Sequence, residues 1–188
     1  MKINVLGILE LKSIADGLIA LDGMVKAAPV SVLKAEVVNP GKYLIIVYGD
    51  VASVDYAMER GRTLGNPSLI DHLFLKNIDE HLIEVLLKNA PAVQHEDEES
   101  LGILETLSVA SCIEAADLAV KATGVKILKL LIGNELGGKA VLSFSGTLGE
   151  VEDAMHVIVP YAEQKGQLYR NVVLTGPHAD MRGFVYGN

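Results

Sequence analysis

The chain has 188 residues, half of them apolar and few aromatic, and a formal net charge of −8 at pH 7. That length buries one large core or two small ones, and the acidic balance excludes nucleic acid or an anionic membrane as the main partner, because both require a basic surface. No unbroken apolar run approaches the roughly 18 residues of a membrane span, and the opening residues MKINVLGILELKS lack the basic-then-apolar pattern of a leader, so the expected location is cytoplasmic.

In chain order, Ile3 to Leu9 is a β-branched and leucine-rich run of strand length. Ser13 follows as an N-cap, and Ile14, Leu18, Leu21 and Val25, spaced four, three and four, predict a helix with one buried stripe. After Pro29 come a strand over 31–38, the turn NPGK at 39–42, a strand YLIIVYG, a helix from about Val51 and a strand SLIDHLFL. KNAPAVQHEDEES at 88–100, with a proline, a charge run and no apolar period, reads as a linker. The pattern then begins again. Residues 6–30 and 101–125 share 13 identities in 25 positions at an offset of 95, among them Leu6/Leu101, Gly7/Gly102, Glu10/Glu105, Asp22/Asp117 and Lys26/Lys121. The helical stripe recurs as Val109, Ile113, Ala116 and Val120, followed by strands at 126–132, AVLSFSG and LYRNVVL and a helix from near Gly149. Between 41–58 and 138–155 the offset is 97, so the second copy holds two extra residues, in the loop NELGGK at 134–139. A duplication of this kind predicts domains at 1–90 and 101–188 around a linker at 91–100. Each has βαββαβ order, an α/β layering (α+β, ferredoxin-like variant) with helices over a mostly antiparallel sheet.

The residues offer little to catalysis. The lone cysteine, Cys112, excludes an intrachain disulfide, fits a reducing compartment and stands where the first copy has Gly17, which marks it as a small packed residue. The histidines at 72, 81, 95, 156 and 178 show no HExxH or paired spacing and do not recur between copies, so no catalytic or metal residues are assigned. HEDEE at 95–99 lacks the glycine turn of a calcium loop. GNELGGK at 133–139 fails as a phosphate loop, because Ala140 opens a strand where Ser or Thr and a helix are needed. Both copies do carry Asp–x–x–x–Lys at the end of the first helix. Spacing leaves open whether Asp22/Lys26 and Asp117/Lys121 are solvated i,i+4 ion pairs, worth roughly 0.3–0.5 kcal/mol, or contacts for another surface.

The pattern LGILE(L/T)xSxAxxxxAxDxxVKAxxV, followed by PGK and a strand ending in GDVxxVxxAM, resembles the shell proteins of bacterial microcompartments. Two copies in one chain resemble their tandem-domain, trimer-forming class, and VVLTGPHADM at 172–181 is similar to the family's PRPH segment. LGILELKSIADG and VASCIEAAD are similar to the trimeric shell proteins of propanediol-utilisation compartments. The resemblance implies a structural, non-enzymatic tile in the compartment shell. Three two-domain chains would take the outline of six single domains, a homotrimeric pseudohexamer with other shell proteins as lateral partners. It further implies a central pore for small polar metabolites, lined by Asn39, Pro40, Gly41 and Lys42 and by Asn134, Glu135, Leu136, Gly137 and Gly138. Lys26, Lys121, Pro177 and His178 would lie at the tile edge, with Gly176 in place of the arginine of PRPH. In the propanediol-compartment relatives a cysteine before Pro-Gly-Lys ligates an iron–sulfur cluster on the axis. Asn39 occupies that position here, so no cofactor is expected. The alternative is a small-ligand-binding regulatory module, since duplicated ferredoxin-like domains also form metabolite sensors.

Overall fold

A computed structural model describes residues 3–88, 100–133 and 136–181. In the first copy, β1 (Val5–Leu11), α1 (Ile14–Ala27), β2 (Ser31–Val38), β3 (Lys42–Tyr48), α2 (Val51–Gly65) and β4 (Leu69–Lys76) follow the expected order. A helix the sequence reading did not anticipate, α3 (Glu80–Lys88), comes next. The second copy contains β5 (Ser100–Thr106), α4 (Val109–Ala122), β6 (Lys126–Leu131), β7 (Ala140–Gly146), α5 (Leu148–Gln164) and β8 (Leu168–Leu174). The strands form two four-stranded antiparallel sheets, ordered β2-β3-β1-β4 and β6-β7-β5-β8. The chain groups into two compact units. The first runs to Ile78 and includes Ser108–Ala110 and Gly133–Gly138; the second comprises Asp79–Leu107, Ser111–Ile132 and the chain from Lys139.

The first strand of each copy is central to its sheet, which explains its near-continuous apolar run. In β1 the odd positions Val5, Leu9 and Leu11 join Tyr43, Ile45 and Val47 against α1 and α2, while Leu6 and Ile8 are buried with Leu44 and Ile46 on the opposite face. β1 begins and ends two residues later than expected. Its pairing with β3 and β4 runs on to Tyr43 and Leu69, with a register shift at Glu10/Leu11 that β5 repeats at Glu105/Thr106.

Of the stripe expected on α1, Leu21 packs against the core, but the other three residues do not form the face that meets the sheet. Gly17, Ala20 and Met24 are buried, whereas Ile14, Leu18 and Val25 are exposed. The helix is turned by one residue, about 100°, because close approach selects small side chains here: a Cβ on Gly17 would stand 2.7 Å from Tyr43 Cβ. In α4 the corresponding Cys112, Ala115 and Ala119 are buried, and so are Val109, Ile113 and Ala116 of the expected stripe. Ser13 caps α1 and accepts from the Asp16 N–H at 3.2 Å. Asp50 caps α2, and Thr147 and Glu150 form a capping box on α5.

Candidate functional site

The loop between the second and third strands of each copy is a glycine turn. In the first copy the Asn39–Pro40 peptide is cis, Gly41 has φ 109°, and the Gly41 N–H donates to the Val38 carbonyl at 3.0 Å. Asn39 and Pro40 are exposed; Gly41 and Lys42 are half-buried. In the second copy Gly133, Gly137 and Gly138 all have positive φ, as only glycine readily adopts. Leu136 is half-buried and Gly137 exposed. The expected loop residues Asn134 and Glu135 lie outside the described residues.

Lys42 does not extend its ammonium from the turn. Its Nζ donates to Glu10 Oε1 at 2.8 Å and to the Gly138 carbonyl at 2.7 Å. Glu10 is fully buried, and its Oε2 accepts from the Val109 N–H, the first of α4, at 2.7 Å. That N–H belongs to the opening turn of a helix and has no intrahelical acceptor. Burial holds the Glu10 carboxyl above its ordinary range, opposed by Lys42 and the Val109 N–H and reinforced by Asp71 on the neighbouring strand. Asp71 in turn accepts from the Ser108 hydroxyl. The second copy repeats the pair as Glu105 and Lys139, 2.5 Å apart, with Lys139 Nζ 4.0 Å from the centre of the Tyr169 ring. The bond to Glu105 raises the Lys139 pKa. The sequence reading passed over this clamp, although Glu10/Glu105 and Lys42/Lys139 are both identical between copies; the repetition was the available signal.

At the expected edge, Lys26 and Asp22 form an exposed i,i+4 pair at 2.7 Å. Lys121 and Asp117 form the same pair at 2.5 Å, but Asp117 is enclosed and its Oδ1 also accepts from the Asp79 N–H at 3.0 Å. Pro177 is half-buried and His178 exposed, in a turn after β8 where Gly176 has φ 58°. Thiolate ligation has no support at the loop. Asn39 supplies an amide, and Cys112 is enclosed within α4, so the residues there do not fit an iron–sulfur cluster. Among the described residues no group of three His, Cys, Asp or Glu side chains is arranged to hold a metal ion, and no helix is long and apolar enough to cross a membrane.

The BMC domain family matches this chain twice, at residues 5–78 and 100–177. The chain is 37% identical over 180 residues to the bacterial microcompartment shell protein PduT of Citrobacter freundii, across 94% of each. A microcompartment protein of Desulfitobacterium hafniense, known from its crystal structure, shares 35% identity and a TM-score of 0.81 over 96% of this chain and 99% of that one. The double-ringed trimeric shell protein of the RMM microcompartment, at 18% identity, shares the fold, with a TM-score of 0.65 over 85% of this chain and 83% of its own. The twofold βαββαβ architecture and these matches together place the chain in the BMC-domain family, the shell proteins of bacterial microcompartments.

Proposed function

We propose that three copies of this shell protein close into a non-catalytic pseudohexameric tile around a central opening for small polar metabolites. The observation that carries this reading is the equivalence of the two copies. Glu10 stands opposite Leu44 and Glu105 opposite Val141 in sheets of identical strand order, and each copy turns on glycine between the same two strands. Six such copies from three chains can occupy equivalent places in a closed ring.

In this reading residues 39–42 and 134–138 border the opening. Asn39 offers an amide that both donates and accepts, and Gly137 adds exposed backbone. The Lys42 charge is neutralised by Glu10, so the rim contributed by the first copy is polar without being cationic and suits neutral polar solutes. The tile carries no iron–sulfur cluster. Lys26, Lys121, Pro177 and His178 belong to the edge facing neighbouring shell proteins, and the linker read at 91–100 lies, but for Ser100, outside the described residues.

Native mass spectrometry is expected to give three times the chain mass, and negative-stain electron microscopy hexagonal particles that join into flat arrays. Monomers or dimers alone would overturn the reading. Protein purified anaerobically is expected to contain neither iron nor acid-labile sulfide; one cluster per three chains would refute the cofactor assignment.

A further inference from the structure

The duplication gives every contact in one copy an equivalent place in the other, and two such places are filled once only. Glu10 accepts from the first N–H of α4, and Lys42 reaches the Gly138 carbonyl. Their equivalents Glu105 and Lys139 hold each other, and among the described residues no helix N-terminus donates to Glu105. Likewise Asp117 is 3% exposed and accepts from the Asp79 N–H, while its equivalent Asp22 is 59% exposed. The turn that presents the Asp79 N–H is nonetheless rebuilt after β8. Asn77 and Gly176 have φ 54° and 58°, and the Asp180 N–H donates to His178 Nδ1 as the His81 N–H donates to Asp79 Oδ1. The apolar residues follow the same division: Ile14 and Leu18 are 39% and 52% exposed, whereas Val109 and Ile113 are fully buried. What α4 encloses, α1 leaves bare.

We propose that the bare face of α1 is the docking surface for a second copy of this chain, whose Glu105 accepts from Ile14 of the partner subunit, whose Lys139 donates to the carbonyl of the partner's Gly41, and whose His178 N–H donates to the partner's Asp22. The proposal rests on the three-chain reading and specifies its joints. Ile14 opens a helix of 14 residues, so its N–H lacks an intrahelical acceptor and lies at the positive end of the helix dipole, where a carboxylate is favoured. Around the ring, lysines then bridge to each neighbouring glycine loop, alternately within a chain and between chains. The joints differ at one point. Asp71, which receives the Ser108 hydroxyl, has Arg170 as its equivalent, so the joint between chains lacks that bond and is the looser kind.

The test uses the full-length chain. In a dilution series read by native mass spectrometry, Glu105→Ala is expected to raise the concentration of half-dissociation at least tenfold while the dissociated chain unfolds as the wild type does. Glu10→Ala is expected instead to weaken the chain itself. In Asp22→Cys/His178→Cys a short bis-maleimide is expected to link chains into a ladder ending at three, with neither single variant giving one; this measurement decides if Glu105→Ala fails to fold. A trimer that yields no ladder, and whose dissociation Glu105→Ala does not move, overturns these contacts and leaves the three-chain reading standing. A wild-type chain that stays monomeric at every concentration overturns both.

Discussion

Glu10 is a buried carboxylate with two partners, the Lys42 ammonium and the Val109 N–H. Removing one member of such a group leaves the others desolvated and unpaired, which costs more than the pair itself contributes. Glu10→Ala is therefore expected to lower unfolding free energy by about 3 kcal/mol, measured by urea denaturation. The pH dependence separates Glu10 from Asp50. Burial raises the Glu10 pKa above 4.5, so the stability linked to its proton is complete below pH 4.5 and is lost as pH rises through the folded value. Glu10→Gln, which cannot ionise, should cost most in acid and progressively less as pH increases. Asp50 accepts from the Ser53 hydroxyl and N–H at the cap of α2, and these bonds hold its pKa below 3.8. Its contribution is present above pH 3.8 and lost as pH falls through the folded value, so Asp50→Asn should cost more toward neutrality. Urea midpoints of both variants against wild type, from about pH 3 to 7, should trend in opposite directions; a parallel trend would refute the assignment.

At the level of elements, strands were legible because β-branched and aromatic runs lie between turn residues: β7, inside its sheet, and β8, at its edge, match their expected limits. The buried face of α1 was not, because hydropathy ranks Ile14 and Leu18 above Gly17 and Ala20, whereas contact with the sheet is decided by size. α3 was hidden for another reason. Its apolar residues Leu82, Val85 and Leu86 are buried, but they stand next to a stretch whose proline and charges suggested a linker. Glycine in the first strand shows how two copies of one motif diverge in tolerance. A Cβ on Gly102 would overlap the Phe144 ring, which is fully buried and directly opposite on β7. A Cβ on Gly7 would meet Met58 Cγ and Sδ at 2.7 Å, on a side chain that can rotate away. Gly102→Ala is expected to destabilise by about 1–3 kcal/mol and Gly7→Ala by less. Equal losses in thermal unfolding would show that Met58 is as confined as Phe144.

For the whole molecule the duplication carried most of what could be read. It disclosed the domain plan and the repeated Asp–Lys spacing, but comparing a sequence with itself cannot tell which repeated residues close a contact within the chain and which wait for another. Asp22/Lys26 and Asp117/Lys121 illustrate this: the residue types and spacing are identical, yet one carboxylate is exposed and the other enclosed. In both pairs the lysine is the more exposed member, with 73% and 41% of its side chain accessible. An exposed i,i+4 pair adds only about 0.3–0.5 kcal/mol to a helix, and screening by salt reduces that further. The fold therefore gives little reason for Lys26, while Lys121 also balances the enclosed Asp117, and a contact outside the proposed trimer gives one reason for both. Lys26→Ala/Lys121→Ala is accordingly expected to leave the mass of the proposed trimer at the wild-type value while abolishing or fragmenting flat arrays in negative stain, with the unfolding midpoint lowered through Lys121, whose removal leaves the enclosed Asp117 without its ammonium. Arrays of undiminished extent would remove both lysines from the tile edge. Loss of the trimer itself would move them into the joints between chains, where Asp22 is already proposed to act.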